Sequence, residues 1–206
     1  MKYSLLEKYR ENKNMIDFII VCNNPVNPEF NFKDVPGTSN RLDVIIRSFL
    51  AVVNSNFTNH LKPRLIISFE KNSGGAKTMF VNTSVKLDVE NEFAAARLFK
   101  TMLKADWKED GSSEGLLIKP QSFKDVISCP APGRKIYYLH GNGRLISDFK
   151  LEARENIAFI VGDNNGLTME QENFLEELGV QKLSLGPVEY LTSQCMILLQ
   201  YWLTKN

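Results

Sequence analysis

Two short apolar segments near the end of the chain each stop at a glycine turn, where a ligand could approach bare backbone. Residues 158–161 are unbroken apolar sequence before Gly162 and Gly166, and Leu183 precedes Gly186 in a similar way. Such runs are typical of strands buried on both faces of a parallel sheet. Glycine has no Cβ, and ligands of α/β proteins bind outside the carboxyl ends of strands. The two turns therefore predict a small-molecule site.

The spacing of these glycines excludes the common phosphate-binding loops. Residues 162–166 read Gly-Asp-Asn-Asn-Gly, which is neither G-x-G-x-x-G nor a P-loop followed by Lys-Ser/Thr. A third glycine turn, at 141–143, closes a predicted strand at 135–140. We expect the turns after Leu139, Val161 and Leu183 to line one crevice, although each alone also reads as an ordinary strand–helix connection.

The segments around these turns alternate between strand and helix patterns. Thr38 or Ser39 is expected to cap a helix that runs to residue 53, Asp88 caps the next, and Thr168 with Gln171 forms a capping box. This alternation predicts an α/β fold with a mainly parallel sheet flanked by helices. Strands are predicted at 15–22, 64–70, 79–81, 116–119, 135–140, 157–161 and 183–186, and further helices at 122–127 and from 192 to the end.

Composition narrows the class of protein. The chain has 206 residues, 43% hydrophobic and 24% charged, with a net charge of +1. No apolar run approaches the roughly 20 residues of a membrane span, and the charged first 14 residues form an extension unlike a signal peptide. Three scattered cysteines and two histidines predict no disulfide framework and no metal site, which favours a cytoplasmic protein. An RNA-binding protein with this charge must concentrate its basic residues on one face.

Several motifs occur in the order found in one enzyme class. Gly162-Asp163 and Ser184-Leu-Gly-Pro resemble the last motifs of the SPOUT methyltransferases, whose C-terminal half ties a trefoil knot around S-adenosylmethionine. Asp34-x-Pro-Gly, Arg41-Leu-Asp and residues 136–140 extend the resemblance to the TrmY family of tRNA pseudouridine N1-methyltransferases. The resemblance covers about residues 15–203. It implies one methyltransferase domain at 15–206, a knot within about 135–206, and a homodimer.

The resemblance also implies which residues hold S-adenosylmethionine, mostly through their backbone. Asp163 and Glu189 are acidic candidates for its ribose hydroxyls or amino group, or else a solvated carboxylate or a helix cap. Cys195 is expected to pack against the cofactor, since nothing beside it in sequence would lower the pKa of its thiol. The expected cofactor residues are Leu139, Gly162, Leu183, Ser184, Leu185, Gly186, Pro187, Val188, Glu189 and Cys195.

The nucleotide is expected to meet the segment after the first strand. Arg41 is suited to an RNA phosphate or a base edge, and Asp43 or Asp34 to the N1 proton of pseudouridine, because the attacking nitrogen must lose a proton. The alternative reading of this segment is a turn followed by a helix cap. His60 and Arg64 correspond to basic positions of the family, or else are solvated loop charges.

The sequence therefore predicts an S-adenosylmethionine-dependent enzyme that methylates N1 of pseudouridine, most simply in tRNA. Two alternatives stay open. One is a knotted methyltransferase that acts on another RNA position, such as a ribosomal uridine or a ribose hydroxyl. The other is a knotted RNA-binding or assembly protein with little catalysis, which the near-neutral charge allows.

Overall fold

A computed structural model describes residues 15–55, 57, 63–72, 74–104, 115–129, 133–150 and 156–205. The expected extension at 1–14 and His60 lie outside this part of the chain. Within it, seven strands form one sheet in the order β4-β3-β2-β1-β6-β5-β7. Strands β1, β2, β5, β6 and β7 are parallel, and β3 and β4 pair antiparallel at one edge. The strands are β1 (Ile16–Cys22), β2 (Arg64–Phe69), β3 (Lys77–Asn82), β4 (Leu116–Lys119), β5 (Arg134–Leu145), β6 (Asn156–Gly162) and β7 (Gln181–Ser184).

Helices cover both faces of this sheet, which confirms the α/β class. One apolar core lies under α2, α3 and α6, and a second lies under α4 and α5. Gln200 is fully buried between α6 and α2, where its amide donates to the Ala51 carbonyl at 3.0 Å. The helices are α1 (Val35–Thr38), α2 (Leu42–Val53), α3 (Glu92–Lys104), α4 (Phe123–Ser128), α5 (Met169–Glu177) and α6 (Thr192–Leu203).

Two predicted helix starts need correction. The helix expected from Asp88 begins at Glu92, because the side chain of Asn91 accepts the Ala94 N–H at 3.0 Å. The helix expected from Thr38 or Ser39 is divided into the single turn α1 and the longer α2. Between them the backbone turns through positive φ angles at Asn40 and Arg41. By contrast, the capping box at the start of α5 is confirmed.

Strand β5 is longer than the sequence pattern predicts. Instead of ending before the glycines, it continues to Leu145, and its pairing with β7 shifts between Leu139 and Arg144, which both lie opposite Leu183. After this irregularity the backbone returns against β7. A Cβ on Gly143 would lie 2.5 Å from the Leu183 carbonyl carbon, whereas one on Gly141 would meet nothing within 4 Å. Residues 140–143 therefore form a bulge within β5 rather than the predicted end of the strand, because β5 resumes its pairing with β7 after the glycines.

Three charged side chains meet at the amino-terminal edge of the sheet. Asp17 of β1 is only 1% exposed and accepts two hydrogen bonds of 2.7 Å from Arg64 of β2. Arg134 of β5 places a terminal nitrogen 2.8 Å from the same carboxylate, although that nitrogen lacks hydrogen-bond geometry. Burial lowers the pKa of the Arg134 guanidinium, while Asp17 opposes this effect. Arg64 therefore stabilises the sheet and is not the solvated loop charge that was one of its two expected roles, the other being a basic position of the family.

Candidate active site

A cavity of about 530 Å³ opens at the carboxyl ends of β5, β6 and β7. This volume is typical of small-molecule sites, and the position is where ligands of parallel sheets bind. Nine of the ten expected cofactor residues line it. The exception is Leu183, which is 1% exposed and packs in the core. The lining residues are Tyr138, Leu139, His140, Gly141, Asn142, Val161, Gly162, Asp163, Gly166, Ser184, Leu185, Gly186, Pro187, Val188, Glu189, Tyr190, Thr192 and Cys195.

Glycine is required at two of these positions for different reasons. A Cβ on Gly162 would lie 2.4 Å from the carbonyl carbon of Gly166, so only glycine allows the two ends of this turn to touch. Gly186 has a φ of +139°, which side-chain-bearing residues rarely adopt, while a Cβ there would meet only the Tyr190 hydroxyl at 3.7 Å. The Gly162 turn is therefore closed by backbone, and the Gly186 turn leaves open space for a ligand.

The β7 turn is held by its own polar groups. The Ser184 hydroxyl donates to the Gly186 carbonyl at 3.0 Å and also lies 3.3 Å from the Gly186 N–H. At the start of α6, the Thr192 hydroxyl donates to the Gly162 carbonyl at 2.9 Å. These bonds join β7, α6 and β6 around one cavity. The walls of the cavity are therefore held in place by hydrogen bonds within the protein itself.

The Asp163 carboxylate joins two loops that border the site. Its Oδ2 accepts the backbone N–H groups of Asn23 and Asn24 at 2.8 and 3.2 Å and the Asn24 side-chain amide at 3.2 Å. Its Oδ1 accepts the Asn165 N–H at 2.8 Å. With four hydrogen bonds and 6% exposure, this carboxylate fixes the loop after β1 against the Gly162 turn. Glu189 is exposed, and within the described residues its carboxylate accepts no hydrogen bond, which leaves it available to a ligand.

The cavity is electrostatically suited to a cation. Of the described residues that line it, none is lysine or arginine, and two are carboxylates. A sulfonium group needs no strong counter-ion but is repelled by nearby positive charge. The glycine-lined wall, the size and the charge of the cavity therefore fit S-adenosylmethionine.

Cys195 lines the cavity as a neutral thiol. Burial raises its pKa to about 11, and burial also raises the pKa of Cys22, whereas Cys129 is exposed. The thiolate is the reactive form of cysteine. At pH 8, a pKa near 11 leaves only about one Cys195 in a thousand ionised. Cys195 is thus a packing residue in this site.

We expect iodoacetamide at pH 8 to label Cys129 rapidly in the folded protein and to label Cys195 and Cys22 far more slowly. Peptide mass spectrometry after timed quenching measures the three rates separately. Unfolding in guanidinium is the control, since it should bring the rates to within a fewfold of one another. Labelling of Cys195 as fast as Cys129 in the folded protein would contradict its assignment as a buried neutral thiol.

The three residues expected to meet the nucleotide lie together, outside the lining of the cavity. Asp43 is 5% exposed and accepts from Arg41 at 3.0 and 3.3 Å and from Arg47 at 2.5 Å. Its hydrogen bonds and charge raise the pKa of the Arg41 guanidinium, whose side chain remains 49% exposed. Asp34 is exposed and caps α1 by accepting the Gly37 N–H at 3.0 Å.

The loop after β1 connects this group to the cavity. Asn24 lies against Asp163, as described above, while the Asn40 amide donates to the Pro25 carbonyl at 2.6 Å. The Asn27 amide donates to the Thr38 carbonyl at 3.0 Å. The two groups of site residues therefore belong to one edge of the sheet.

Sequence reasoning missed several residues that shape the site. Tyr138, Tyr190 and Thr192 line the cavity without having been predicted. Thr192 was read only as a helix start, and its bond to Gly162 depends on a contact across 30 residues. Asn23 and Asn24 follow a buried strand directly, so they could have been suspected from the same rule that located the glycine turns.

Taken together, an α/β sheet with this cavity at its carboxyl edge is typical of proteins that bind a nucleoside-sized ligand, and the absence of lysine and arginine from the described lining suits a positively charged one. The family model described as "Putative SAM-dependent RNA methyltransferase" matches residues 15–206. The chain therefore belongs to that family of S-adenosylmethionine-dependent RNA methyltransferases.

Individual relatives share most of the chain. It is 37% identical over 194 residues to the tRNA (pseudouridine(54)-N(1))-methyltransferase of Methanococcus maripaludis strain C6, covering 89% of this chain and 96% of the relative. It is 31% identical to the enzyme of the same name from Thermococcus gammatolerans, covering 92% and 96%. The crystal structure of Archaeoglobus fulgidus Nep1 bound to S-adenosylhomocysteine shares the fold, with a TM-score of 0.58, 14% identity, and coverage of 93% and 99%.

In the part of the chain that the structure describes, no helix is long and apolar enough to cross a membrane. No group of three or more potential metal-binding side chains occurs in the same residues.

Proposed function

We propose that this protein transfers the methyl group of S-adenosylmethionine to N1 of a pseudouridine in tRNA, at position 54. The observation that carries the proposal is the 37% identity, over nearly the full length of both chains, to a relative named for this reaction. The cavity adds independent support, because its size, glycine turn and lack of lysine and arginine suit a sulfonium nucleoside.

In this proposal the cofactor lies against Leu139, Gly162 and the segment 184–189, with Cys195 packed beside it. When bound, it supplies a methyl group on a positively charged sulfur. The exposed Glu189 accepts hydrogen bonds from its ribose hydroxyls or amino group, a task for which the saturated Asp163 is unsuited. Asp163 instead keeps the loop after β1 in place.

The nucleotide meets the group formed by Asp34, Arg41 and Asp43. Arg41 contacts an RNA phosphate or base edge with its exposed guanidinium, and Asp43 fixes that guanidinium in place. Asp34 accepts the N1 proton, since its Oδ2 takes no hydrogen bond from a described residue. Transfer needs the nitrogen, the methyl carbon and the sulfur nearly in line, so the alignment of these two groups supplies much of the rate.

A test of the proposal is nucleoside mass spectrometry after incubation with S-adenosylmethionine and tRNA transcripts that carry either pseudouridine or uridine at position 54. We expect N1-methylpseudouridine only from the pseudouridine transcript. Methyl groups on another base or on ribose, in tRNA or ribosomal RNA, would support the first alternative instead. RNA binding without any product would support the knotted binding protein.

We expect Asp34→Asn to lower turnover about a hundredfold, the lower end of what a positioned base contributes. Asp43→Asn should lower it about tenfold, because Arg41 loses a charge-assisted partner. Asparagine is as good a helix cap as aspartate, so Asp34→Asn should keep its melting temperature. Single-turnover kinetics measures methyl transfer, and calorimetry with S-adenosylmethionine measures cofactor binding, so the two effects are separated. Equal losses of turnover and cofactor affinity would show a structural role instead.

The proposal includes a homodimer and a cytoplasmic location. Apolar side chains remain exposed beside the cavity and along α6, and covering them requires a second surface. The exposed fractions are 60% for Val188, 61% for Leu191, 48% for Ile197 and 52% for Tyr201. Sedimentation velocity measures the oligomeric state directly.

The knot expected within 135–206 and the single domain at 15–206 are also part of the proposal.

A further inference from the structure

Two phenylalanines that do not line the cavity remain exposed, one in the loop after β1 and one on α3. Phe32 is 37% exposed and Phe93 is 57% exposed, and their ring centroids lie 5.3 Å apart at 54°. Phe32 also packs edge-on against Phe30, which is 1% exposed, with centroids 5.5 Å apart. We call Phe32 and Phe93 the aromatic platform. Its inner ring is anchored in the core, and its outer ring faces solvent.

Positive charge surrounds this platform. The Lys100 ammonium lies 4.7 Å from the Phe32 centroid and 5.0 Å from the Phe30 centroid, and it donates to the Phe30 carbonyl at 2.5 Å. On α3, Phe93, Arg97 and Lys100 follow one another at spacings of four and three residues, which places them on one helix face. Arg97 is exposed and makes no ion pair with a described residue.

Two of the carboxylates nearby are held by positive groups of the protein itself. Glu29 is committed to Lys104, with a nitrogen–oxygen distance of 2.6 Å. Glu92 lies in the first turn of α3, where it faces the positive end of the helix dipole. Lys33 is exposed and forms no ion pair with a described residue. The platform is therefore flanked by two available cations, Arg97 and Lys33.

The platform is also tied to the residues that meet the target nucleotide. The Asn31 N–H donates to the Thr38 hydroxyl at 2.9 Å, and the Asp34 N–H donates to the Asn31 carbonyl at 3.1 Å. Phe32 thus lies two residues before Asp34 in a loop whose turns are hydrogen-bonded to α1. A base held by the platform would be near the nucleotide held by Asp34 and Arg41.

We infer that the aromatic platform receives an unstacked base of the RNA substrate next to the target nucleotide, while Arg97 and Lys33 contact the adjoining phosphates. Exposed aromatic rings among basic side chains are the arrangement by which proteins hold unpaired nucleotides. A methyltransferase that reaches N1 of a base must act on a nucleotide drawn out of its stack, so neighbouring bases lose a stacking partner. The inference rests on the proposed function for its choice of RNA.

The test is fluorescence anisotropy with labelled tRNA transcript and the full-length protein, comparing Phe93→Ser with the wild type. We expect an about tenfold rise in the RNA Kd, within the range for loss of one base-stacking ring. Phe93→Tyr should restore most of the affinity because it keeps the ring. Met169→Ser is the matched control, since Met169 is 81% exposed and lies away from the platform, and it should leave the Kd unchanged.

Salt dependence separates the roles of the ring and the cation. We expect Arg97→Gln to reduce the slope of log Kd against log salt concentration by about one ion, and Phe93→Ser to leave the slope unchanged. Calorimetry should give the same S-adenosylmethionine affinity for all variants. If Phe93→Ser binds RNA with the same Kd as the wild type, the inference is overturned. If that variant has a changed sedimentation coefficient, the platform belongs to a self-association surface instead.

Failure of the inference about the platform can be distinguished from failure of the proposed function. If the wild type makes no N1-methylpseudouridine but Phe93→Ser still weakens RNA binding, the role of the platform is supported and the proposed reaction is disproved. If the wild type methylates its tRNA and both Phe93→Ser and Arg97→Gln bind that tRNA with wild-type affinity, the proposed reaction is supported and the role of the platform is disproved. A lowered melting temperature for Phe93→Ser with no rescue by Phe93→Tyr would also count against it.

Discussion

Replacing Asp17 with asparagine is expected to lower the free energy of unfolding by about 3–5 kcal/mol, the usual cost of removing one partner from a buried ion pair. Asp17 is 1% exposed and is the counter-ion of both Arg64 and Arg134. Asparagine keeps the shape of the side chain but loses its charge, which leaves two guanidinium groups in a poorly solvated place. Urea denaturation monitored by circular dichroism measures the change.

A surface ion pair provides the matched control for this prediction. Glu170 pairs with Lys124 at 2.6 Å, but its side chain is 80% exposed. Glu170→Gln should therefore cost less than about 1 kcal/mol. If Asp17→Asn yields no folded protein, Arg134→Met gives a milder version, because Asp17 keeps Arg64. A loss for Asp17→Asn no larger than that of Glu170→Gln would disprove the role of the buried cluster.

Replacing Gly186 with valine is expected to reduce S-adenosylmethionine affinity at least about a thousandfold, or about 4 kcal/mol. The position borders open cavity space, where a Cβ meets only the Tyr190 hydroxyl within 4 Å. Valine would place two further methyl groups in the volume proposed for the cofactor. Isothermal titration calorimetry with S-adenosylmethionine and S-adenosylhomocysteine measures the loss.

The positive φ of Gly186 means that part of any effect comes from backbone strain, of roughly 1–2 kcal/mol. Gly75→Val is the control for this strain, since Gly75 has a φ of +89°, open surroundings and no place in the cavity. Both variants should lose similar stability, but only Gly186→Val should lose the cofactor. Gly186→Ala provides a smaller step if valine prevents folding. Unchanged affinity in a folded variant would place the cofactor elsewhere.

Local patterns carried enough information to predict the central sheet and the edge where the cavity opens. The run at 158–161 is apolar because β6 is buried on both faces, and the glycines after it follow from backbone contacts in the turn. The same logic failed for Gly143. Its closeness to Leu183 is a tertiary contact, so a strand continued where the local pattern predicted a turn.

The roles of charged residues were harder to predict, because their partners lie far away in the sequence. Arg64 was expected to be a basic position of the family or a solvated loop charge, yet it pairs with Asp17, which is 47 residues away. Asp163 was a candidate for the ribose hydroxyls or amino group of the cofactor, for a solvated carboxylate or for a helix cap. In the structure it lines the cavity and also holds Asn23 and Asn24, about 140 residues earlier. A lone aspartate within the apolar β1 was the available signal, since buried carboxylates need a partner.

The central place of β1 in the sheet has a consequence for how the protein is made. This strand ends at residue 22, but its neighbour β6 is complete only at residue 162. At about 5–20 residues per second, one edge of an apolar strand waits roughly 7–28 s for its partner. The nascent chain therefore passes through an aggregation-sensitive stage that ends only when β6 emerges, and the loop bearing Asn23 and Asn24 is fixed in place at that same late moment.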